Sequence, residues 1–271
     1  MNEPLLITVA PNGARRGKAD HPELPLTAAE TALVAAACRK AGAGMIHLHV
    51  RDERGGHSLD AAYYTAAMAA IGAAVDGGML VQVTTESCGI FGVNEQMAAV
   101  RATLPQAASF ALREFFAGDV VDPQVATFFR WVALKGIAAQ FILYAPAEID
   151  RLATLVASGV MPIASPHALF VLGRHAVDQQ SDPRDLCRYV ERWPSRWPWS
   201  VCAFGRAELA VAAAAIGLGG HVRVGFENNL QDSDGSLLKS NATRVAQVAA
   251  IAAAVGRPLA DAAKTRALFG H

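Results

Sequence analysis

Two histidines separated by one residue, His47 and His49, are the side chains of this sequence best suited to hold a metal ion. They lie in the apolar stretch 45–50, which predicts a strand. Residues i and i+2 of a strand point to the same side of a sheet, so both imidazoles can face one ion. The pattern alone leaves a second interpretation open, namely two hydrogen-bonded histidines near a subunit contact.

Glu227 is the carboxylate that could complete such a site, because it follows the last predicted strand, 221–225. If the strands close into a barrel, this strand and the histidine strand both flank the first one, so their ends lie about 10 Å apart. Two histidines and one carboxylate, with a fourth position open to water or substrate, are typical of catalytic zinc. The alternative for Glu227 is a carboxylate at the start of a helix, paired with Arg223.

The elements that must position these residues alternate regularly between strand and helix. Short apolar runs predict strands over residues 5–10, 45–50, 80–84, 107–112, 137–144, 167–172, 199–203 and 221–225. A capping box, Thr27 with Glu30, begins the first of the helices between them. About eight such units predict an α/β fold, a (β/α)8 TIM barrel in which residues 1–271 form a single domain. A doubly wound open sheet is the alternative, but no Gly-rich dinucleotide fingerprint follows the first strand.

The composition limits the classes of partner. Hydrophobic residues make up 52% of the 271 residues, charged residues 18%, and the formal net charge is zero. This balance argues against disorder and gives no reason to expect nucleic acid or an anionic membrane surface as a partner. The four cysteines form no CxxC pair, so we interpret them as small buried residues. No signal peptide or membrane span is recognisable, and we expect a cytoplasmic protein.

Four sequence strings, in their order and spacing, resemble the β-keto acid cleavage enzyme family. They are ITVAPNGAR, AGAGMIHLHVRD, VQVTTE and GGHVRVGFENN, and the resemblance extends from Ile7 to Pro258. It implies a (β/α)8 barrel with zinc on His47, His49 and Glu227. It also implies a reversible Claisen-type reaction, in which a β-keto acid and acetyl-CoA give acetoacetate and a new CoA thioester. Together with the apolar excess, it indicates a homo-oligomer, and a tetramer is our expectation.

The resemblance also assigns roles to three further side chains. Arg223 matches the active-site arginine of the family, and its guanidinium can pair with a carboxylate through two hydrogen bonds. Thr84 matches a substrate-binding serine, and Ser109 matches a substrate-binding threonine. From the sequence alone, either hydroxyl could equally cap the end of a strand.

The chain departs from the family pattern at positions that bear on the reaction. Asn228 stands where the family has an aspartate that works with the arginine in proton transfer, and an amide cannot accept a proton at neutral pH. Glu86 is the replacement base we predict, although it could be a solvated loop residue. Arg15 occupies the place of a glutamate that holds a substrate amine, so we expect an anionic or polar distal group. Arg113 could supplement Arg15, or pair with Glu114 or Glu86.

Two other classes of function remain open from the sequence. One is another metal-dependent barrel enzyme, a lyase, aldolase or hydrolase that does not use CoA; a hydrolase of this kind would need further histidines at later strand ends, and His167 falls near the beginning of its strand. The other is a non-catalytic barrel that binds a ligand and has kept its metal but lost its base. Dependence of turnover on CoA separates the first of these from the family reaction.

Overall fold

The computed structural model describes residues 3–118 and 120–270, and eight parallel strands within them close into a barrel. The barrel strands are β1 Ile7–Val9, β2 Met45–Leu48, β5 Leu80–Thr84, β6 Ala107–Ala111, β7 Ala138–Leu143, β8 His167–Leu172, β9 Trp199–Ala203 and β10 His221–Val224. Strand β1 pairs with both β10 and β2, and the other strands follow in chain order. The prediction of a closed (β/α)8 barrel is therefore confirmed, and the open sheet is excluded.

Helices on the outside of the barrel connect most of the strands. The helices of the described residues are α1 Ala28–Ala41, α2 Ala61–Val75, α3 Val93–Thr103, α4 Leu112–Phe115, α5 Pro123–Leu134, α6 Ala147–Ala157, α7 Asp185–Val190, α8 Glu208–Gly217, α9 Asn241–Ala254 and α10 Ala262–Ala267. Helices α4 and α10 were not predicted from the sequence. None of the helices described is long and apolar enough to cross a membrane.

The histidine strand is shorter than predicted. Strand β2 ends at Leu48, and after His49 the chain forms a small antiparallel hairpin from β3 (Val50–Arg51) and β4 (His57–Ser58). This hairpin could not be predicted from the sequence because each of its strands is only two residues long. The hairpin lies directly after the two histidines, at the carboxyl end of the barrel.

The capping box of α1 forms as predicted. The Thr27 hydroxyl accepts a hydrogen bond from the Glu30 amide at 3.2 Å, and Glu30 Oε2 accepts one from the Thr27 amide at 3.0 Å. These two bonds satisfy donors that the first turn of a helix leaves without partners. At the other end of α1, Gly42 has φ of +118°, a left-handed conformation that glycine adopts without steric cost.

Candidate active site

His47, His49 and Glu227 come together at the carboxyl end of the barrel, as predicted. The two Nε2 atoms lie 3.2 Å apart, and Glu227 Oε2 is 3.7 Å from His47 Nε2 and 3.6 Å from His49 Nε2. A tetrahedral ion with bonds of about 2.1 Å holds its ligands about 3.4 Å apart. Glu227 Oε2 is buried and has no hydrogen-bond partner among the described residues. Both observations fit a divalent metal ion.

Neighbouring strands fix the orientation of the His47 ring. Strand β5 places Gln82 in register with His47, and Gln82 Oε1 lies 2.8 Å from His47 Nδ1. The Gln82 amide nitrogen donates in turn to Gln140 Oε1 at 3.1 Å, so the Gln82 oxygen faces the ring. His47 Nδ1 must therefore carry the proton, which leaves the lone pair of Nε2 for a metal. Burial, then the charge of Arg223, lowers the pKa of His47 to about 3, so the ring is neutral.

A tight turn after β10 positions Glu227. The Glu227 amide donates to the Ala10 carbonyl at 3.1 Å, which ties the turn to the end of β1. Gly13 packs against the Glu227 side chain so closely that a Cβ at this position would lie 2.6 Å from Glu227 Cγ. Burial alone would raise the pKa of Glu227, but the adjacent Arg223 guanidinium, with His49 and His47, holds it well below its ordinary range. Glu227 is therefore an ionised carboxylate.

A cavity opens beside the three candidate ligands, and we call it the mouth cavity. Its lining consists of His47, Thr84, Thr85, Glu86, Ser109, Ala111, Glu114, Ile142, Tyr144, Val171, Arg174, Phe204, Arg223 and Glu227. A larger cavity lies at the amino end of the barrel around His167, Trp197 and Phe269. Of these two cavities, the mouth cavity is the one that candidate metal ligands line, namely His47 and Glu227, so we place the chemistry there.

Three side chains that line the mouth cavity have hydrogen-bond donors that a substrate could use. Arg223 donates to Glu227 Oε1 at 3.1 Å, while its Nε and Nη1 are buried with no hydrogen-bond partner in the described part of the chain. The Ser109 hydroxyl is likewise buried and without such a partner. The Thr84 hydroxyl accepts from the Glu86 amide at 3.1 Å and keeps its own proton to donate. All three line the mouth cavity.

Glu86 lies on the wall of the mouth cavity and is not a solvated loop residue. Its Oε1 is 2.7 Å from Arg15 Nη1, and its Oε2 is 4.0 Å from His49 Nδ1. Burial would raise the pKa of this carboxyl group, but His49 and the hydrogen bond from Arg15, opposed by Glu227, leave it below its ordinary value. An ionised carboxylate therefore stands next to the candidate metal ligands.

Comparison with known protein families matches residues 4–270 to the beta-keto acid cleavage enzymes. A relative from Acetoanaerobium sticklandii, a 3-keto-5-aminohexanoate cleavage enzyme, is 31% identical over 274 residues, which cover 99% of this chain and 98% of the relative. The chain belongs to the beta-keto acid cleavage enzyme family. Another relative, a 3-oxoadipate:acetyl-CoA acetyltransferase from Cupriavidus necator, is 29% identical over 278 residues, 100% of this chain and 96% of the relative.

Among solved structures, this beta-keto acid cleavage enzyme is similar to ObcA in a ternary complex with a C4-CoA adduct and oxalate. The TM-score is 0.74 at 17% identity, and the match covers 92% of this chain and 68% of ObcA. A type I 3-dehydroquinate dehydratase from Clostridium difficile gives a TM-score of 0.58 at 10% identity, over 92% of this chain and 93% of the other. At these identities, both similarities concern the barrel fold alone.

Asn228, the departure from the family pattern next to Glu227, is fully buried. Its backbone amide donates to the Gly225 carbonyl at 2.8 Å, which places it in the turn that carries Glu227. Neither Oδ1 nor Nδ2 of its side chain has a hydrogen-bond partner among the described residues. Asn228 is not among the residues that line the mouth cavity, and its amide side chain, which does not titrate, offers no proton acceptor.

The two arginines predicted to meet the substrate have different surroundings. Arg15 reaches Glu86 at the wall of the mouth cavity. Arg113 pairs with Glu148, with 2.9 Å between Nε and Oε1, and its guanidinium lies 4.2 Å from the centre of the Tyr144 ring. Its carboxylate partner is thus neither Glu114 nor Glu86, the two partners considered from the sequence. Arg113 is not among the residues that line the mouth cavity.

Sequence reasoning missed three residues of the site in this family member. Tyr144 and Arg174 line the mouth cavity, and Gln82 orients His47. Gln82 carried a detectable signal, because it is a polar residue in the middle of an otherwise apolar strand. Arg174 lies in the irregular loop 173–182, where the sequence offers no periodicity from which the direction of a side chain could be predicted.

Proposed function

We propose that this protein is a zinc-dependent enzyme that exchanges acyl groups between a β-keto acid and acetyl-CoA. The bond between C2 and C3 of the β-keto acid breaks, and C2, which carries the carboxylate, forms a new bond to the acetyl carbonyl carbon. The bond between the acetyl carbonyl carbon and the CoA sulfur breaks, and the sulfur forms a new thioester bond to C3 of the remaining acyl group. The products are acetoacetate and a new CoA thioester, so atoms and charges balance without an oxidant or reductant. The observation that carries the proposal is the His47, His49 and Glu227 cluster in a chain of this family.

The cluster supplies the ligands of a catalytic rather than a structural metal. Two imidazoles and one ionised carboxylate satisfy three positions of a zinc ion and leave a fourth open to substrate. A bound divalent ion supplies Lewis acidity, which polarises a ketone and stabilises the negative charge that develops when the carbon–carbon bond breaks.

The other residues of the mouth cavity bind and orient the keto acid in this proposal. Arg223 presents its unpaired Nε and Nη1 donors to the substrate carboxylate. The hydroxyl groups of Thr84 and Ser109 donate to oxygen atoms of the substrate. Glu86 accepts the proton that an aspartate at position 228 would otherwise accept. Arg15 favours a substrate whose distal group is anionic or polar.

The test is an activity screen that separates the CoA-dependent reaction from its alternative. Purified, zinc-loaded protein is incubated with acetyl-CoA and a panel of β-keto acids that includes diacids, and acetoacetate is measured. We expect acetoacetate and a new thioester in equal amounts, and no consumption of keto acid when acetyl-CoA is omitted. Keto acid consumption without acetyl-CoA would favour a CoA-independent lyase. This alternative is open because Asn228 stands in place of the proton-accepting aspartate of the family. No acetoacetate from any keto acid would overturn the proposal.

We also propose that the protein assembles into a homo-oligomer, with a tetramer as the expected state. The support is the apolar excess of the sequence and several large hydrophobic side chains on the surface of the single chain, among them Leu33 and Leu134 on the outer helices α1 and α5. Light scattering coupled to size-exclusion chromatography measures the mass directly. A monomer at micromolar concentration would contradict the proposal.

A further inference from the structure

Arg174 is a partly buried cation at the mouth cavity that the proposed reaction leaves without a role. It is the second residue after strand β8, which ends at Leu172, and its side chain is 19% exposed. It lines the mouth cavity together with His47 and Glu227, and it also lines the adjoining groove that contains Arg15 and Gln179. The guanidinium therefore stands where the mouth cavity opens towards that groove.

The donors of Arg174 lack a close acceptor. Within residues 3–118 and 120–270, no oxygen accepts a hydrogen bond from its guanidinium, and the nearest carboxylate oxygen, Glu86 Oε1, is 4.0 Å away. That oxygen already accepts from Arg15 at 2.7 Å. Two guanidinium groups thus face the same carboxylate oxygen, and only Arg15 is close enough to donate a hydrogen bond to it. A guanidinium that has no close acceptor in the protein is suited to bind the oxygen atoms of an anionic ligand.

The surroundings hold Arg174 in this position before any ligand arrives. Its guanidinium carbon lies 5.2 Å from the centre of the Phe204 ring, a cation–π contact that restricts its rotation. The loop that carries it is attached to the same segment, because the Ser181 amide donates to the Phe204 carbonyl at 3.1 Å and the Arg206 amide donates to Gln180 Oε1 at 3.2 Å. The fork of donors is therefore presented in one orientation.

The backbone of the loop is strained in a way that favours a ligand-related role. Asp178 and Gln179 are consecutive residues with φ of +55° and +51°, a conformation that side chains other than glycine rarely adopt. Gly205 has φ of +82°, and a Cβ there would collide with the Gln180 side chain. Such strain is found most often at ligand clamps and active sites, where neighbouring contacts maintain it.

We infer that Arg174 is a specificity-determining residue that binds a carboxylate at the distal end of the substrate, together with Arg15. The substrate class is then a β-keto diacid, whose first carboxylate and ketone lie at the candidate metal ligands and whose second carboxylate lies between the two arginines. The second carboxylate replaces Glu86 as the partner of Arg15 and gives Arg174 the acceptor it lacks. This inference rests on the proposed function, since it assumes a β-keto acid in the mouth cavity.

The experiment compares two ligands that differ only at the distal end, 3-oxoadipate and 3-oxohexanoate. Binding to the zinc-loaded protein is measured by calorimetry without acetyl-CoA, for the wild type, Arg174→Gln and the exposed control Arg184→Gln, whose guanidinium pairs with Asp182 on the surface. We expect Arg174→Gln to weaken 3-oxoadipate binding on the order of 10- to 100-fold, the range for a lost hydrogen bond between ionised groups. Binding of 3-oxohexanoate stays unchanged, and the control resembles the wild type.

The outcomes separate this inference from its rivals. Equal loss for both ligands would show a structural role for Arg174 and overturn the inference, as would a wild type that binds the diacid no more tightly than the monoacid. The KM for acetyl-CoA is measured in the same variants, and a rise there with unchanged diacid binding would assign Arg174 to the phosphates of CoA instead. Because binding is measured without turnover, a protein that prefers the diacid but forms no acetoacetate would contradict the proposed reaction and not this inference.

Discussion

At the residue scale, the three candidate ligands differ in how firmly the chain holds them. His47 is fixed through Gln82 and Gln140, and Glu227 is fixed by Arg223 and the turn after β10. His49 Nδ1 has no hydrogen-bond partner among the described residues, and its nearest carboxylate is Glu86. A metal-bound histidine normally donates its second nitrogen to a carboxylate, a carbonyl or water. Glu86 could therefore act as the base or as the partner of the metal ligand His49. Substitutions must distinguish these two roles.

The first prediction concerns Glu227. Replacing it with glutamine removes the only charged oxygen of the candidate ligand set while keeping the volume, and it leaves the buried Arg223 without its carboxylate. We expect zinc affinity to fall by more than about 100-fold, since even a lost outer-shell partner costs about 10- to 100-fold. Zinc retained after dialysis against a weak chelator is measured by mass spectrometry, with the exposed Glu53→Gln as the matched control. Equal retention in wild type and Glu227→Gln would remove Glu227 from the ligand set.

The second prediction concerns Glu86. Glutamine at this position can still accept a hydrogen bond from Arg15 but cannot accept a proton. If Glu86 is the base, kcat falls by about 100- to 10,000-fold while zinc and keto acid still bind. A loss of zinc with the activity would assign Glu86 to the support of His49 instead. If neither the wild type nor the Glu86→Gln variant converts any keto acid, but both bind metal and ligand, the chain is a ligand-binding barrel that has lost its base.

At the scale of elements, the sequence predicted the strands better than the connections between them. The apolar runs and capping residues gave strand positions to within a few residues, because burial on both faces selects apolar side chains over the whole strand. The turn around Gly13, the hairpin β3–β4 and the direction of Arg174 depend on contacts between distant segments. Gly13 meets Glu227 across 214 positions of the sequence, and no local pattern could have predicted that contact. The candidate ligands were predictable, and the pairing of Glu227 with Arg223 could be considered from the sequence, whereas the contact of Glu227 with Gly13 could not.

The third prediction tests the contact between the two loops. Gly13 has φ of +63°, and a methyl group there would strain the backbone and also push Glu227 away. Gly159 has φ of +72° but open space around it, so Gly159→Ala introduces the backbone strain alone. We expect both alanine variants to lose roughly 1–2 kcal/mol in the free energy of unfolding. Only Gly13→Ala should lose zinc affinity. Unchanged zinc affinity in Gly13→Ala would show that the two loops are not coupled.

At the scale of the whole molecule, the two ends of the barrel have different tasks. The carboxyl end gathers the candidate ligands and the mouth cavity, whereas the amino end buries His167 and His221 at the first positions of β8 and β10. Their ring centres are 5.7 Å apart, and Ser200 Oγ lies 2.8 Å from His167 Nε2. Buried groups at the amino end of a barrel contribute to stability rather than to chemistry. The acid stability of the fold should therefore depend on this end.

The fourth prediction follows from the protonation of these two histidines. Burial, then the charge of Arg257, lowers the pKa of His221 to about 3, and burial together with His221 lowers the pKa of His167 well below its ordinary value. Below pH 6.5 the unfolded chain takes up protons that the folded chain cannot accept, so the free energy of unfolding decreases as the pH falls from 6.5 towards 3. Each histidine contributes about 1.4 kcal/mol per pH unit in this window.

Urea unfolding of metal-free protein at pH 5, 6 and 7 should show a shallower decrease in the free energy of unfolding for His167→Gln than for the wild type. Between pH 7 and pH 8 the two proteins should show the same dependence, because both histidines are neutral there in either state. Identical slopes below pH 6.5 would mean that His167 is protonated in the folded barrel.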